Sequence, residues 1–267
     1  MAFITTNDGA KLFYEEKGQG RPIVFVNGWC TTTRFWKKQV EALSENFRCI
    51  TYDPRDFGES EKVERGRRVA RYARDLYDLM NALDVSGAIL VGWSSGGVIS
   101  LCYTDLFRDE HLAGLVLVDT GACAVSKPDW PYGFGSPAEL REFVDSAATD
   151  LKGVCLPLLD QEFKEPLSPE DKAWMLDEML KTPASTASIF VQDEFNQDFR
   201  DVLPGINIPT LVACGAHSQV YPMGGAVYMA EKIPGAKLEV FEDSGHTPYI
   251  EKTEQFNEML HSFALSV

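Results

Sequence analysis

Residues 88–97 are Ala88-Ile89-Leu90-Val91-Gly92-Trp93-Ser94-Ser95-Gly96-Gly97. The first four form a short apolar run, typical of a buried strand, and a helical pattern begins at Val98. Gly92, Ser94 and Gly96 make the pattern Gly-x-Ser-x-Gly, which presents a serine on a sharp strand-to-helix turn where closely packed backbone requires glycine. Only Ser94 has glycine two residues away on both sides. It is therefore the predicted nucleophile, and a purely structural turn is the alternative.

Similar apolar runs on both sides of this segment predict further strands buried on both faces. They are Ile23 to Val26, Cys49 to Tyr52, Leu115 to Val118 and Thr210 to Ala213, with a mixed run at Leu238 to Phe241 expected nearer an edge. Phe3 to Thr6 and Lys11 to Glu16 predict a hairpin around Asn7-Asp8-Gly9. Helical patterns occur at Trp36 to Leu43, Val69 to Leu83, Val98 to Phe107, Ala226 to Ile233 and Phe256 to Leu265. This alternation predicts an α/β fold with a mostly parallel, doubly wound sheet.

One interval breaks the alternation. Residues 122–207, 86 in number, contain no convincing buried strand. Three helix starts are predicted there, at Ser136-Pro137, Ser168-Pro169 and Thr182-Pro183, because each places a hydroxyl at the N-cap and proline at the first helical position. The interval is too long for a connecting loop. We therefore expect a helical cap at 122–207, inserted into a core made of residues 1–121 and 208–267.

Composition limits the classes of partner. The 267 residues carry a net charge of −15, with 25 lysines and arginines against 40 aspartates and glutamates. Such a surface repels nucleic acids and anionic membranes, and no apolar run approaches the roughly 18 residues of a membrane helix. The six cysteines are scattered without metal-binding spacing, and the N-terminus has no signal-peptide pattern. We expect a cytoplasmic protein with a small-molecule substrate and with no metal or cofactor; its oligomeric state stays open.

The predicted nucleophile needs a general base, and the chain has four histidines: His111, His217, His246 and His261. His246 directly follows the last predicted strand, in Ser244-Gly245-His246. A loop at the carboxyl end of a strand can bring its histidine to a serine presented at the same sheet edge. His246 is therefore the predicted base.

The order of these motifs resembles the α/β-hydrolase fold family, in particular its serine hydrolases of the carboxylesterase and lactonase type. The motifs are Asn27-Gly28-Trp29 after an early strand, Tyr52 to Ser60 with Gly58, the Gly-x-Ser-x-Gly turn and Ser244-Gly245-His246. The similarity spans almost the whole chain. It implies Ser94 as nucleophile, His246 as general base, and an oxyanion hole formed by the backbone N–H groups of Trp29 and Ser95. Asn27 departs from the family, which usually has histidine there.

The triad acid is the second departure from the family pattern. Family members most often carry the acid after the strand at Thr210 to Ala213, but Ser218 occupies that position here. Some members take the acid from the end of the preceding strand, where this chain has Asp119. Asp119 is therefore the predicted acid, orienting His246 and stabilising its protonated form; support of the cap hinge is its structural alternative, and Asp243 is a weaker candidate.

The predicted reaction is hydrolysis of an ester or lactone through an acyl-enzyme on Ser94. Four aromatic residues are expected to line the substrate site, which favours a largely apolar substrate of modest size: Trp93, Trp130, Tyr132 and Phe134. Three alternatives remain open. The chain could be a binding or receptor protein with a slow or inactive triad, or it could hydrolyse carbon–carbon bonds or form peracids with the same residues.

Overall fold

The computed structural model describes residues 2–267, which contain an eight-stranded, mostly parallel sheet flanked by helices. The strands are β1 (Ala2–Thr5), β2 (Lys11–Lys17), β3 (Pro22–Val26), β4 (Arg48–Tyr52), β5 (Ala88–Trp93), β6 (Leu112–Val118), β7 (Thr210–Gly215) and β8 (Lys237–Phe241). Their order across the sheet is β1-β2-β4-β3-β5-β6-β7-β8. The predicted α/β architecture with a mostly parallel sheet is confirmed.

The apolar runs became the centre of the sheet. Strands β3, β5 and β7 are buried along their whole length, because helices cover both faces of a parallel sheet. The mixed run became β8, whose residues are mostly exposed or half-buried and which lies at the sheet edge as expected. The predicted hairpin is the antiparallel pair β1 and β2, and β2 is also antiparallel to β4.

Six helices belong to the segments on either side of the long interval. They are α1 (Lys37–Leu43), α2 (Val69–Ala82), α3 (Ser95–Phe107), α8 (Met223–Lys232), α9 (Pro248–Glu251) and α10 (Thr253–Ser266). The apolar periodicity predicted five of them with boundaries within about three residues. The buried faces of α2 and α10 show the cause, since Leu76, Leu79, Phe256 and Leu260 are all fully covered.

The long interval contains four helices, α4 (Pro137–Thr149), α5 (Leu151–Glu162), α6 (Pro169–Met179) and α7 (Ala184–Phe195). Ser136 and Ser168 are N-caps as predicted, and Ser136 forms a full capping box with Glu139. The prediction of Thr182 as an N-cap was wrong. The Thr182 N–H closes the turn after α6, and Pro183, which has extended backbone, is the N-cap of α7. Helix α5 was not predicted, because Pro157 lies inside it.

Two further properties bear on the chemistry. All six cysteines are buried free thiols. Within residues 2–267, no helix is long and apolar enough to cross a membrane.

Strands β3, β5, β6 and β7 are mutually parallel, so their carboxyl ends meet at one edge of the sheet. The residues that follow these strands form the candidate site.

Candidate active site

Ser94 lies on the sharp turn between β5 and α3. Its backbone has φ 53° and ψ −123°, a strained conformation that the surrounding structure must impose. The flanking glycines are needed for space: a Cβ on Gly92 would collide with the Gly96 carbonyl, and a Cβ on Gly96 would collide with the Val26 carbonyl. The Ser94 side chain borders a cavity and is 9% exposed. The turn therefore presents the hydroxyl at the sheet edge, as the sequence pattern predicts.

His246 and Asp119 form a buried pair beside Ser94. The distance from His246 Nδ1 to Asp119 Oδ1 is 2.8 Å, and each side chain is 1% exposed. Asp119 has φ 40° directly after β6, which turns its carboxylate towards the β7 and β8 loops. Because Nδ1 is engaged, Nε2 is the nitrogen left for a proton transfer.

Ser218 supports the same carboxylate. Its hydroxyl donates to Asp119 Oδ1 at 2.7 Å, and the Gly215 N–H donates to Oδ2 at 2.8 Å. The position that usually carries the acid in this family thus holds a donor to Asp119. Asp243 lies elsewhere: its side chain is 69% exposed and is ion-paired with Lys164. Of the two aspartates considered, only Asp119 contacts His246.

Backbone hydrogen bonds hold the His246 loop in place. The His246 N–H donates to the Glu162 carbonyl at 2.7 Å, and the Gly245 N–H donates to Glu251 Oε2 at 2.7 Å. The indole of Trp93 donates to the His246 carbonyl at 2.8 Å, and its ring packs against the imidazole. In the part of the chain that the structure describes, no hydrogen bond joins Ser94 Oγ to His246. Catalytic hydrogen bonds of this kind are often long until substrate binds.

Two backbone N–H groups next to Ser94 are free to bind an oxyanion. The N–H groups of Trp29 and Ser95 donate no hydrogen bond within residues 2–267. Ser95 is the first residue of α3, where the N–H has no intrahelical partner. Asn27 holds the loop in another way, since its Nδ2 donates to the Tyr52 carbonyl at 2.9 Å. Replacement of the usual histidine therefore leaves both backbone donors available.

The cavity above Ser94 has a volume of about 30 Å³. Five of the nine predicted site residues line it: Trp29, Ser94, Ser95, Phe134 and His246. Asp119 lies behind His246. Three predicted aromatic residues do not line this cavity. Trp93 packs under His246, Trp130 donates its indole N–H to the Cys123 carbonyl, and Tyr132 packs over Gly224.

Sequence reasoning missed two acidic residues of the cavity, Glu162 and Glu194. Glu162 is 5% exposed and Glu194 2%. Burial raises the pKa of each carboxyl to about 7. Glu194 Oε2 accepts from the Ser95 hydroxyl at 2.6 Å. The apolar residues beside Glu194 on α7 indicate that this side chain faces inwards. Glu162 lies at the end of α5, which the sequence pattern does not predict, so the sequence does not indicate that it is buried.

The raised pKa of Glu162 has a consequence for stability. Its ordinary pKa of 4.5 applies to the unfolded chain, and burial raises the folded value to about 7. The folded state therefore binds more protons between these values, so that stability falls as pH rises from about 4.5 to 7. We expect Glu162→Gln to increase the free energy of unfolding by about 2–3 kcal/mol at pH 8 and by less than about 1 kcal/mol at pH 5.

Urea unfolding at the two pH values measures this difference. Glu258→Gln on α10 removes one exposed carboxylate from the surface and is the control, with no expected gain at either pH. An equal effect of Glu162→Gln at pH 5 and pH 8 would contradict the assigned titration.

The metal-binding potential of the described residues is low. In residues 2–267 no group of three or more His, Cys, Asp or Glu side chains is arranged to hold a metal ion. The candidate site thus contains a serine, a histidine–carboxylate pair, two backbone donors and two buried carboxyl groups.

Comparisons with known proteins show which family this fold belongs to. A sequence model of the family described as alpha/beta hydrolase fold matches residues 21–253. The non-heme chloroperoxidase CPO-A1 of Kitasatospora aureofaciens is 30% identical over 254 residues, 92% of each chain. An esterase (EaEST) from Exiguobacterium antarcticum superposes with a TM-score of 0.94 at 27% identity, covering 98% of both chains. The enol-lactonase from Burkholderia xenovorans LB400 has a TM-score of 0.88 at 25% identity, covering 98% of this chain and 99% of its own.

Proposed function

The chain belongs to the α/β-hydrolase fold family, and from this we propose that it is a serine hydrolase that cleaves an ester or lactone through an acyl-enzyme on Ser94. The similarity to an esterase and an enol-lactonase makes it an enzyme acting on ester bonds. The observation that carries the serine mechanism is the His246–Asp119 hydrogen bond, which lies at the wall of the cavity that Ser94 also lines.

The proposed reaction proceeds in two steps. His246 Nε2 takes the proton of the Ser94 hydroxyl while Oγ attacks the carbonyl carbon, and the N–H groups of Trp29 and Ser95 bind the resulting oxyanion. The protonated His246, stabilised by Asp119, then gives its proton to the departing alcohol. Water attacks the acyl-enzyme by the same route in reverse and releases the acid.

We propose residues 122–207 as a helical cap over a core of residues 1–121 and 208–267. Support comes from hydrogen bonds between α7 and both predicted oxyanion residues. The Trp29 indole donates to the Ala187 carbonyl at 2.9 Å, and the Ser95 hydroxyl donates to Glu194 at 2.6 Å. Cap residues Phe143, Leu158 and Phe195 line the cavity above Ser94. They favour an acyl group of modest size with an apolar stem.

Peracid formation is the second candidate function. The similarity to a non-heme chloroperoxidase favours it, because hydrogen peroxide in place of water would attack the same acyl-enzyme and release a peracid.

We also propose a cytoplasmic location, supported by the six free thiols. A receptor or binding protein with an inactive triad would bind an ester without cleaving it.

Hydrolysis of p-nitrophenyl acetate, butyrate and octanoate tests the proposal. We expect steady turnover, fastest with the shorter acyl groups because the cavity is small. His246→Gln is the matched variant and should lower kcat by at least about 10³. Absence of turnover for all three esters, or equal turnover by His246→Gln, would overturn the serine-hydrolase function.

A further inference from the structure

We infer that the cavity selects acyl substrates that carry an ammonium group, which Glu162 and Glu194 bind while Ser94 attacks the carbonyl. The inference rests on the proposed function and specifies its substrate class. The two carboxyl groups come from different cap helices, the end of α5 and the last turn of α7. Both line the cavity that contains Ser94 and His246.

Glu162 carries the inference because its carboxyl group lacks a partner. Oε2 is buried and accepts no hydrogen bond from any described residue. A buried carboxyl oxygen without a donor is costly, so natural structures rarely retain one without a ligand or another function. Its burial also raises the pKa of the carboxyl to about 7, which leaves it partly ionised at neutral pH. An ammonium group supplies both the missing donor and the opposite charge.

Glu194 provides a second acceptor next to the reaction centre. One of its oxygens accepts from the Ser95 hydroxyl at 2.6 Å. It is 98% buried, and the hydroxyl groups that face it, those of Ser95 and Tyr221, are neutral. A substrate ammonium would therefore meet two carboxyl groups on the cap side, opposite the N–H groups that bind the oxyanion.

The lining contains one kind of basic side chain. Among residues 2–267, no lysine or arginine lines this cavity, and the basic group in the lining is His246, whose positive charge lowers the pKa of both glutamates against the larger effect of burial. A wider groove of about 580 Å³ lies outside it and shares Phe134, Phe143 and Leu158 with the inner cavity. That groove is lined by Glu139, Glu142 and Asp150, and again by no lysine or arginine of the described chain. Both spaces thus attract cations and repel carboxylates.

Three methyl esters of equal and short chain length test the selection, because the cavity is small: those of β-alanine and butyrate, and the monomethyl ester of succinate. They end in an ammonium, a methyl and a carboxylate group. At pH 8 we expect kcat/KM to be at least about tenfold higher for the ammonium ester than for butyrate, and lowest for the carboxylate. Glu162→Gln and Glu194→Gln should each lower the ammonium-to-methyl ratio of kcat/KM by about tenfold.

Two controls make the outcome decisive. Glu258→Gln changes the net charge equally at an exposed position outside the cavity, and it should preserve the ratio. Circular dichroism confirms that each variant is folded. Equal kcat/KM for the ammonium and butyrate esters, or a ratio unaffected by both cavity variants, would overturn the inference, and so would no hydrolysis of the ammonium ester by a protein that turns over p-nitrophenyl acetate. Absence of turnover of the p-nitrophenyl esters as well would instead overturn the proposed function.

Discussion

Replacing Ser94 with alanine is expected to lower kcat for ester hydrolysis by about 10⁴–10⁶, the largest loss of any single substitution in this chain. The hydroxyl oxygen is the atom that forms the acyl bond, and no other group can take its place on the strained turn at φ 53°. Alanine has the same Cβ in the same backbone conformation, so the variant should remain folded. Initial rates with p-nitrophenyl acetate, at equal folded protein concentration, measure the effect.

Ser95→Ala is the matched control for this substitution. Ser95 keeps its backbone N–H in the variant and loses only the side-chain hydrogen bond to Glu194. The loss in kcat should be at most about a hundredfold, the scale of one hydrogen bond to a charged partner, and far smaller than that of Ser94→Ala. If Ser95→Ala were the inactive variant and Ser94→Ala the active one, the assignment of the nucleophile would be wrong.

The second large effect is expected at Asp119. Asp119→Asn should lower kcat by about 10⁴, because an amide facing Nδ1 no longer stabilises the imidazolium and favours the wrong tautomer of His246. The hydrogen bond of 2.8 Å between Nδ1 and Oδ1 is the contact at stake. The pH profile of kcat/KM for each variant separates loss of the acid from loss of folding.

Ser218→Ala distinguishes Asp119, the proposed triad acid, from Ser218, which only donates a hydrogen bond to it. Ser218 donates to Asp119 at 2.7 Å, and Gly215 still donates to the other oxygen when Ser218 is replaced. A loss of at most about a hundredfold is expected, the scale of one hydrogen bond to a charged group, against about 10⁴ for Asp119→Asn. Full activity of Asp119→Asn would exclude Asp119 as the acid and would require another carboxylate.

The sheet could be predicted because its signals are local. Runs such as Ile23 to Val26 and Ala88 to Val91 are apolar without interruption, and only a strand covered on both faces explains them at that length. The turn at Ser94 was equally predictable, since the glycines that close backbone packing requires are visible in the sequence. Asp119 was implied by the family resemblance, because some members take the acid from the end of this strand and the more usual position is Ser218 here.

Other features depend on tertiary packing and left no clear local signal. Pro157 suggests a helix end, yet α5 continues through it. Trp130 has a large aromatic side chain, as many substrate-binding residues do, but its indole N–H donates to the Cys123 carbonyl within the loop. Glu162 and Glu194 would be assigned to solvent-facing helix positions by charge alone, and only the packing of α5 and α7 over the sheet edge turns them inwards.

Intact-mass analysis after treatment with a fluorophosphonate tests the central claim most directly, because the reagent reacts much faster with a serine activated as a nucleophile than with other side chains. The expected result is a single adduct that peptide mapping locates at Ser94, that forms slowly in Asp119→Asn and that is absent from Ser94→Ala. An unmodified protein after prolonged treatment, or an adduct located at Ser95 or at any other residue, would contradict the proposed mechanism.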